Sequence, residues 1–356
     1  MRLGLVGPLP PPNGGMAMQT LQLARLLEQE GVEVDLVQTN TPYKSKVISK
    51  MKGLRAVFRL LPYLLEIWRL AGRVDVIHLM ANSGWSWQLF AAPVIWLGSL
   101  RKTPVIVNYR GGEAREYLAT SGRWVKPSMT RASRLVVPSG FLRQVFDEVG
   151  LQSAVIPNII DLEMFHPAPH PPSDAVFTLV ITRNLEPIYG LDTAIRAVAL
   201  ARKELPRIKL KIAGSGPQCT ELKRLVASLG LEDEVHFLGR LDRVEIVELY
   251  HGANAMLNPT RVDNMPNSVL EALACGLPVI STNVGGVPYI VKDGQTALLV
   301  NPDNEQEMAQ AILKLCNNAA LRRQLSDSGR VEVAQYTWAE VWPQWRSVYS
   351  RTAVGA

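Results

Sequence analysis

The chain has 356 residues, 47% of them hydrophobic and 20% charged, an ordinary soluble composition with length enough for two domains of usual size. Its cysteines (Cys219, Cys275, Cys316) are odd in number and widely spaced, and its five histidines do not cluster. This argues against a disulfide framework or a metal site and points to a reducing cytoplasm. The net charge of +6 is uneven: residues 1–165 carry 19 Lys and Arg against 12 Asp and Glu, whereas residues 166–356 carry 19 against 20.

MRLGLVG reads as a first strand, too short an apolar run for a signal peptide. The loop PLPPPNGG follows it and ends in Gly14 and Gly15 before a helix near Met16. VEVDLVQ reads as the second strand. The stretch Lys44 to Arg73 then carries eight basic residues and one acid, Glu66, with apolar residues from Met51 to Trp68 at helical spacing. Pro62 predicts a break or kink in it. Two readings stand: a surface helix with one face in the core, or a basic amphipathic segment resting on an anionic membrane. No reader motif for nucleic acid accompanies the charge.

Val76 to Leu100 holds no charged residue, but His78, Asn82, Gln88 and Pro93 interrupt it. It reads as a buried strand, a loop and a buried helix, not as a membrane span. TPVIVNY and SRLVVPS complete the strands of the first half. In the second half FTLVITR, IKLKIAG, VHFLG, ANAMLNP, LPVISTN and TALLVNP read as strands, with amphipathic helical runs between them. Such alternation predicts parallel sheets with helices on both faces. The pattern occurs on both sides of HPAPHPPSD (166–174), whose prolines favour a stiff linker. The expectation is an α/β chain of two Rossmann-like, doubly wound domains facing each other across a cleft. The first spans 1–165 and the second 166–336; a terminal helix, about 337–356 and interrupted by Pro343, packs back on the first.

Ligands of such sheets bind beyond the carboxyl ends of strands. Three loops there contain candidates: Gly14–Gly15, Gly214 and Gly216 in IAGSGP, and DNMPNSVLEALACGLPVI from Asp263 to Ile280. Neither glycine loop forms a dinucleotide fingerprint, and no GxxxxGK[ST] loop exists, which disfavours an NAD enzyme or a P-loop NTPase. The third loop leads into a helix whose N-terminal amides favour a phosphate. Ser268 or Asn267 would also serve as an N-cap, which accounts for them without a ligand. A carboxylate at Glu271, one turn in, can accept two hydrogen bonds from a ribose diol while the amides before it hold a diphosphate. Asp263, eight residues earlier, can reach the transferred group.

DNMPNSVLEALACGLPVISTNVGG resembles the Glu-x7-Glu region of retaining GT-B glycosyltransferases of the family 4 type (glycosyl transferases group 1). The resemblance extends to PNIIDLEMF, KIAGSGP, VHFLGR and GGVPYIVKDGQTALLV, and RNLEPIY resembles a bacterial polysaccharide-biosynthesis subgroup. It implies a retaining, metal-independent transferase, without a cofactor, moving a sugar from a nucleotide-diphosphate donor, UDP or GDP, to a glycan or lipid-linked acceptor. The enzyme would be cytoplasmic; separately from the resemblance, the basic Lys44–Arg73 segment would bring it into peripheral contact with the inner face of the plasma membrane.

Carried over by position, the resemblance gives Glu271 the ribose hydroxyls and Arg183, with Asn184 beside it, the phosphate charge. Asn264, Met265, Pro266, Asn267 and Ser268 would offer backbone amides to the diphosphate, and Gly15, beside Gly14, would approach it from the other domain. Leu241 would touch the base; Asp263 and Arg110 would orient the sugar. Four positions depart from the pattern. Asp263 is a methylene shorter than the usual Glu, Tyr189 replaces a phosphate-binding Lys, Arg110 a His, and Tyr289 a frequent Glu. The Tyr189 and Arg110 departures motivate an alternative, a non-catalytic nucleotide-sugar-binding partner subunit; an epimerase of similar architecture is a third reading.

Overall fold

A computed structural model describes residues 1–11, 14–41, 54–170, 172 and 175–354. The chain divides into two units, 1–158 with 338–356, and 159–337.

The first unit is built on a parallel six-stranded sheet of order β2-β1-β3-β4-β5-β6. The strands are β1 (Arg2–Gly7), β2 (Glu33–Gln38), β3 (Val76–Ala81), β4 (Val105–Tyr109), β5 (Arg134–Val137) and β6 (Ala154–Val155). The central strands are Val-, Ile- and Leu-rich without alternation because helices cover both faces of a parallel sheet; every residue of β3 and β4 is buried. Helices α1 (Gly15–Gln29), α2 (Leu54–Leu70), α3 (Ala92–Leu100), α4 (Ala114–Met129) and α5 (Gly140–Glu148) connect the strands. The charge-free stretch is β3, a loop, a short π-helical turn at Trp87–Ala91, and α3. The sequence pattern missed β6, whose two residues pair with Val136 and Val137; a strand that short has no periodicity to read.

The second unit has β7 (Phe177–Thr182), β8 (Ile208–Ala213), β9 (Val235–Gly239), β10 (Ala255–Asn258), β11 (Val279–Thr282) and β12 (Leu298–Val300), in the parallel order β12-β11-β10-β7-β8-β9. Its helices are α6 (Leu191–Ala201), α7 (Cys219–Ser228), α8 (Arg243–His251), α9 (Asn267–Ala274), α10 (Glu305–Cys316) and α11 (Ala319–Val333). One apolar cluster, including Leu179, Ile195, Leu210 and Ile312, fills one face of this sheet; another, including Met256, Val269 and Val279, fills the other. The unit begins ahead of the proline-rich stretch because Ile160 and Phe165 already bury themselves in the second cluster, and Ile160 N–H donates to Tyr336 O at 2.9 Å.

The last helix, α12 (Trp338–Val354), belongs to the first unit. Tyr349 on α12 bonds to His78 on β3 at 2.7 Å, and the Trp345 ring packs, tilted by 38°, with its centre 4.5 Å from that of the imidazole. Neither proline ends its helix: α2 runs through Pro62 and α12 through Pro343, where an interruption was expected. An interior proline removes one helical hydrogen bond and crowds a carbonyl. Here buried anchors, Tyr63 and Ile67 after Pro62 in α2, and Val341 and Trp345 on either side of Pro343 in α12, hold the backbone in register.

Candidate active site

Neighbouring parallel strands end at the same sheet edge, so the loops after β7 and β10 converge. Arg183 is the first residue after β7, and Asp263 lies in the loop after β10. Arg183 Nε donates to Asn258 Oδ1 at 3.1 Å, its guanidinium pairs with the Asp263 carboxylate, and its plane stands 4.6 Å from the Tyr189 ring centre. Burial lowers the Arg183 pKa, against the pull of Tyr189, Tyr250 and Glu271. The cation is thus fixed in position by a carboxylate, an amide and an aromatic face.

The Asp263–Pro266 loop is set by glycines opposite it. Gly285 has φ +52, where an L side chain is strained, and a Cβ there would strike the Asp263 carbonyl; a Cβ on Gly286 would strike the Asn264 carbonyl. Gly286 N–H donates to Asp263 O at 2.9 Å. This explains the GG of TNVGG, which the sequence pattern showed without a reason. Gly214 and Gly216 likewise bring their loop against the backbone of Arg183 and Leu185, where a Cβ would not fit. Their role within the unit is to let two protein segments meet.

The N-terminus of α9 departs from the capping explanation. Its N-cap residue is Pro266, with extended backbone and no side-chain cap. Neither Asn267 nor Ser268 caps it. The Ser268 hydroxyl is buried and has no hydrogen-bond partner among the described residues, an uncommon state that calls for a ligand or water. The expectation that 264–268 all present amides needs correction. Pro266 has no N–H, and the Asn264 amide donates to Asp263 Oδ1 at 2.9 Å. Met265 buries its side chain in the core beneath the loop.

Glu271 follows one turn into α9. The Tyr250 hydroxyl donates towards Glu271 Oε2 at 3.4 Å and Ser268 O at 3.3 Å, and lies 2.6 Å from Thr182 Oγ1. Burial raises the Glu271 pKa, opposed by Arg243, by the Tyr250 bond and by Arg183. Asn184 turns aside, donating to Glu186 Oε1 at 3.2 Å, and Leu241 packs half-buried against the α9 core cluster. Tyr289 is half exposed. Arg261, beside the loop, is committed to Asp192 and Asp303 at 2.9 and 2.6 Å, so it does not replace the missing lysine.

Arg110, Gly14 and Gly15 lie on the first unit. Gly14 is the N-cap of α1, again with no side-chain cap. Arg110 follows β4; its guanidinium donates to Asn108 Oδ1 at 3.3 Å and to Asn158 Oδ1. Asn108 Nδ2 then donates to His78 Nε2 at 3.1 Å, which leaves His78 Nδ1–H to donate to Tyr349. Burial first, and Arg110 second, push the His78 pKa down to about 3, so the imidazole is neutral; burial lowers Arg110 to about 10.

The family description "Glycosyl transferases group 1" matches residues 165–332, and "Glycosyltransferase Family 4" matches 13–164. The chain belongs to the glycosyltransferases of the family 4 type. The D-inositol 3-phosphate glycosyltransferase of Mycolicibacterium smegmatis is 27% identical over 95% of this chain and 86% of its own. The first curated relatives are matched over only 22–48% of their length. Among solved structures, sucrose-phosphate synthase from Thermosynechococcus elongatus superposes with a TM-score of 0.81 at 20% identity, over the whole of both chains. Anabaena HepE in complex with UDP-glucose gives 0.78 at 18% identity, over 98% and 99%. The fold of this glycosyltransferase is therefore GT-B.

Sequence reasoning missed Asn258, Thr182, Tyr250 and Arg243, which orient or face the two charges. Tyr250 and Thr182 occupy positions that strand and helix periodicity assigns to the core. Arg243 had a signal: Asp242 and Glu245 form a capping box, which fixes Arg243 as the first residue of α8.

Proposed function

We propose that this glycosyltransferase transfers a sugar, with retention of configuration and without a required metal, from a nucleoside-diphosphate donor to a glycan or lipid-linked acceptor. The observation that carries the reading is the grouping in the second unit of a buried, positioned cation, an uncapped helix start with an unpartnered hydroxyl, and a desolvated carboxylate. A nucleoside diphosphate complements all three. Its phosphates meet Arg183, Ser268 and the α9 amides, and its ribose diol meets Glu271. HepE, of the same fold, holds UDP-glucose, which supports the donor class.

In the reaction the bond between the sugar anomeric carbon and the diphosphate oxygen breaks, and the acceptor oxygen bonds to the same carbon from the same face. The acceptor proton passes to the departing diphosphate, whose growing charge Arg183 and α9 stabilise; removing one such donor typically slows catalysis by about 100- to 1000-fold. Asp263 holds Arg183 in place, and Arg110 is assigned to the sugar. Bacterial surface polysaccharide or glycolipid synthesis is the setting we propose. One observation favours a partner subunit that binds the donor without turning it over: Tyr189 stacks on Arg183 where a lysine would add charge.

Calorimetric titration with UDP, GDP, ADP and CDP in EDTA tests the site. Micromolar binding of one nucleotide, lost in Glu271→Ala, is expected, and no binding across the panel would refute it. Proton NMR of the product formed from the matching sugar nucleotide reads the anomeric outcome. Binding without release of nucleoside diphosphate, with acceptors present, would establish the partner-subunit reading instead.

A further inference from the structure

Helix α2 is apolar on two sides. Tyr63, Ile67 and Leu70 point into the core, while Leu61, Leu65 and Trp68, spaced i, i+4, i+7, form an outer stripe exposed by 58%, 59% and 41%. Helix α3, packed beside α2 on the same sheet face, repeats this with Trp96 and Leu100, the latter 70% exposed. Arginines join the two stripes. Arg101 stacks 4.8 Å from the Trp68 ring centre and Arg131 4.7 Å from that of Trp96, with Arg131 Nε also donating to Ser99 at 2.9 Å. Neighbouring α4 adds exposed Trp124. Residues 54–134 hold twelve Lys and Arg against four Asp and Glu. Every tryptophan among the large exposed hydrophobics (68, 85, 96 and 124) lies in this unit.

We propose that the outer faces of α2 and α3, flanked by α4, dock on an anionic phospholipid bilayer. Exposed leucines and tryptophans ringed by arginines suit the boundary between headgroups and acyl chains, where amphipathic aromatic rings settle and cations meet lipid phosphates. A second copy of the chain suits the surface less well, because two such faces would bring arginine against arginine, and like charges set against each other across an interface are strongly destabilising. The sequence placed membrane contact in Lys44–Arg73. Residues 42–53 lie outside the described residues, and the surface proposed here extends to α3 and α4, beyond that segment. Neither Arg183 nor Glu271 takes part, so its failure leaves the donor site untouched.

The test is flotation of the full chain with vesicles of phosphatidylcholine alone and of phosphatidylcholine mixed with phosphatidylglycerol. Binding only to the anionic vesicles is expected, falling in high salt. Arg101→Ala with Arg131→Ala should lower partitioning roughly thirtyfold at low salt, and Trp68→Ser with Trp96→Ser and Leu100→Ser should abolish it. Each variant should keep the wild-type thermal melt, since the altered side chains face outward. In the wild-type protein, brominated lipid should quench tryptophan fluorescence. Three results would overturn the proposal: no flotation, flotation unchanged in the serine variant, or a concentration-dependent dimer that the serine variant dissolves.

Discussion

Glu271→Gln separates what the site costs the fold from what it gives the ligand. Burial raises the Glu271 pKa above its ordinary value of 4.5, with Arg243, Tyr250 and Arg183 opposing. The folded protein therefore binds this proton more tightly than the unfolded chain does. Between the unfolded and folded pKa values the native state holds the extra proton, so stability falls as pH rises through that window and stays lowered above it. Each pH unit separating the two titrations is about 1.4 kcal/mol. Glutamine has nearly the same shape and carries no charge, so at pH 7 the variant should be the more stable protein. A gain of about 1 kcal/mol raises the melting temperature of a domain this size by roughly 2–4 °C.

The same substitution should weaken nucleotide binding. Gln keeps one acceptor oxygen and loses the other; a hydrogen bond to a charged group contributes about 1.5–3 kcal/mol, a loss of roughly ten- to a hundredfold in affinity. The assays are thermal melts of both proteins from pH 4 to 8 and calorimetry with the preferred nucleotide. The stability difference should shrink as pH falls toward the unfolded carboxylate range. A variant less stable at pH 7, or a difference that ignores pH, would refute the claim that this carboxylate is held against its preference.

Tyr189→Phe should leave activity near wild type, because the ring over Arg183 remains; Tyr189→Ala should lower kcat/KM by roughly two- to thirtyfold, the range of a cation–π contact. Gly286→Ala should destabilise the second unit by about 1–3 kcal/mol in thermal melts, since the loop must shift off the Asn264 carbonyl. Arg110→Ala should lower kcat while free nucleotide binds by calorimetry as before, because Arg110 is assigned to the sugar; a matching loss of nucleotide affinity would remove it from that role. His78, neutral down to about pH 3, should show no imidazole titration by NMR between pH 5 and 8.

Much of the second unit was legible because its strands are apolar runs bounded by Gly, Pro and Asn, and all six were read from the chain. Glu271, Arg183 and the 263–268 loop were legible from spacing and resemblance together. What could not be read are contacts made across the sheet. Nothing in the sequence ties Gly286 to Asn264 or Tyr250 to Glu271, residues more than 20 positions apart that meet only once the parallel strands set their register. That neither proline ends its helix has a related reason. The cost of Pro62 and Pro343 is local, whereas the packing that offsets it comes from distant residues.

The two charges at the heart of the site have opposite signs, yet burial acts against the ionised form of both: it lowers Arg183 and raises Glu271. Had stability alone shaped this edge of the sheet, the two would form one close pair. Instead Arg183 takes its partner from Asp263, and among the described residues Glu271 receives only a long hydrogen bond from Tyr250. Each keeps capacity for something else, as does the Ser268 hydroxyl between them in sequence. A ligand that presents anionic phosphates to one and neutral hydroxyl donors to the other relieves both at once. A nucleoside diphosphate has these two ends joined at fixed separation, whereas a simple anion would relieve only Arg183 and a free sugar only Glu271. Inorganic diphosphate and free nucleoside should therefore each bind far more weakly than the intact nucleotide, in proportion to the half of the site each leaves unpaired.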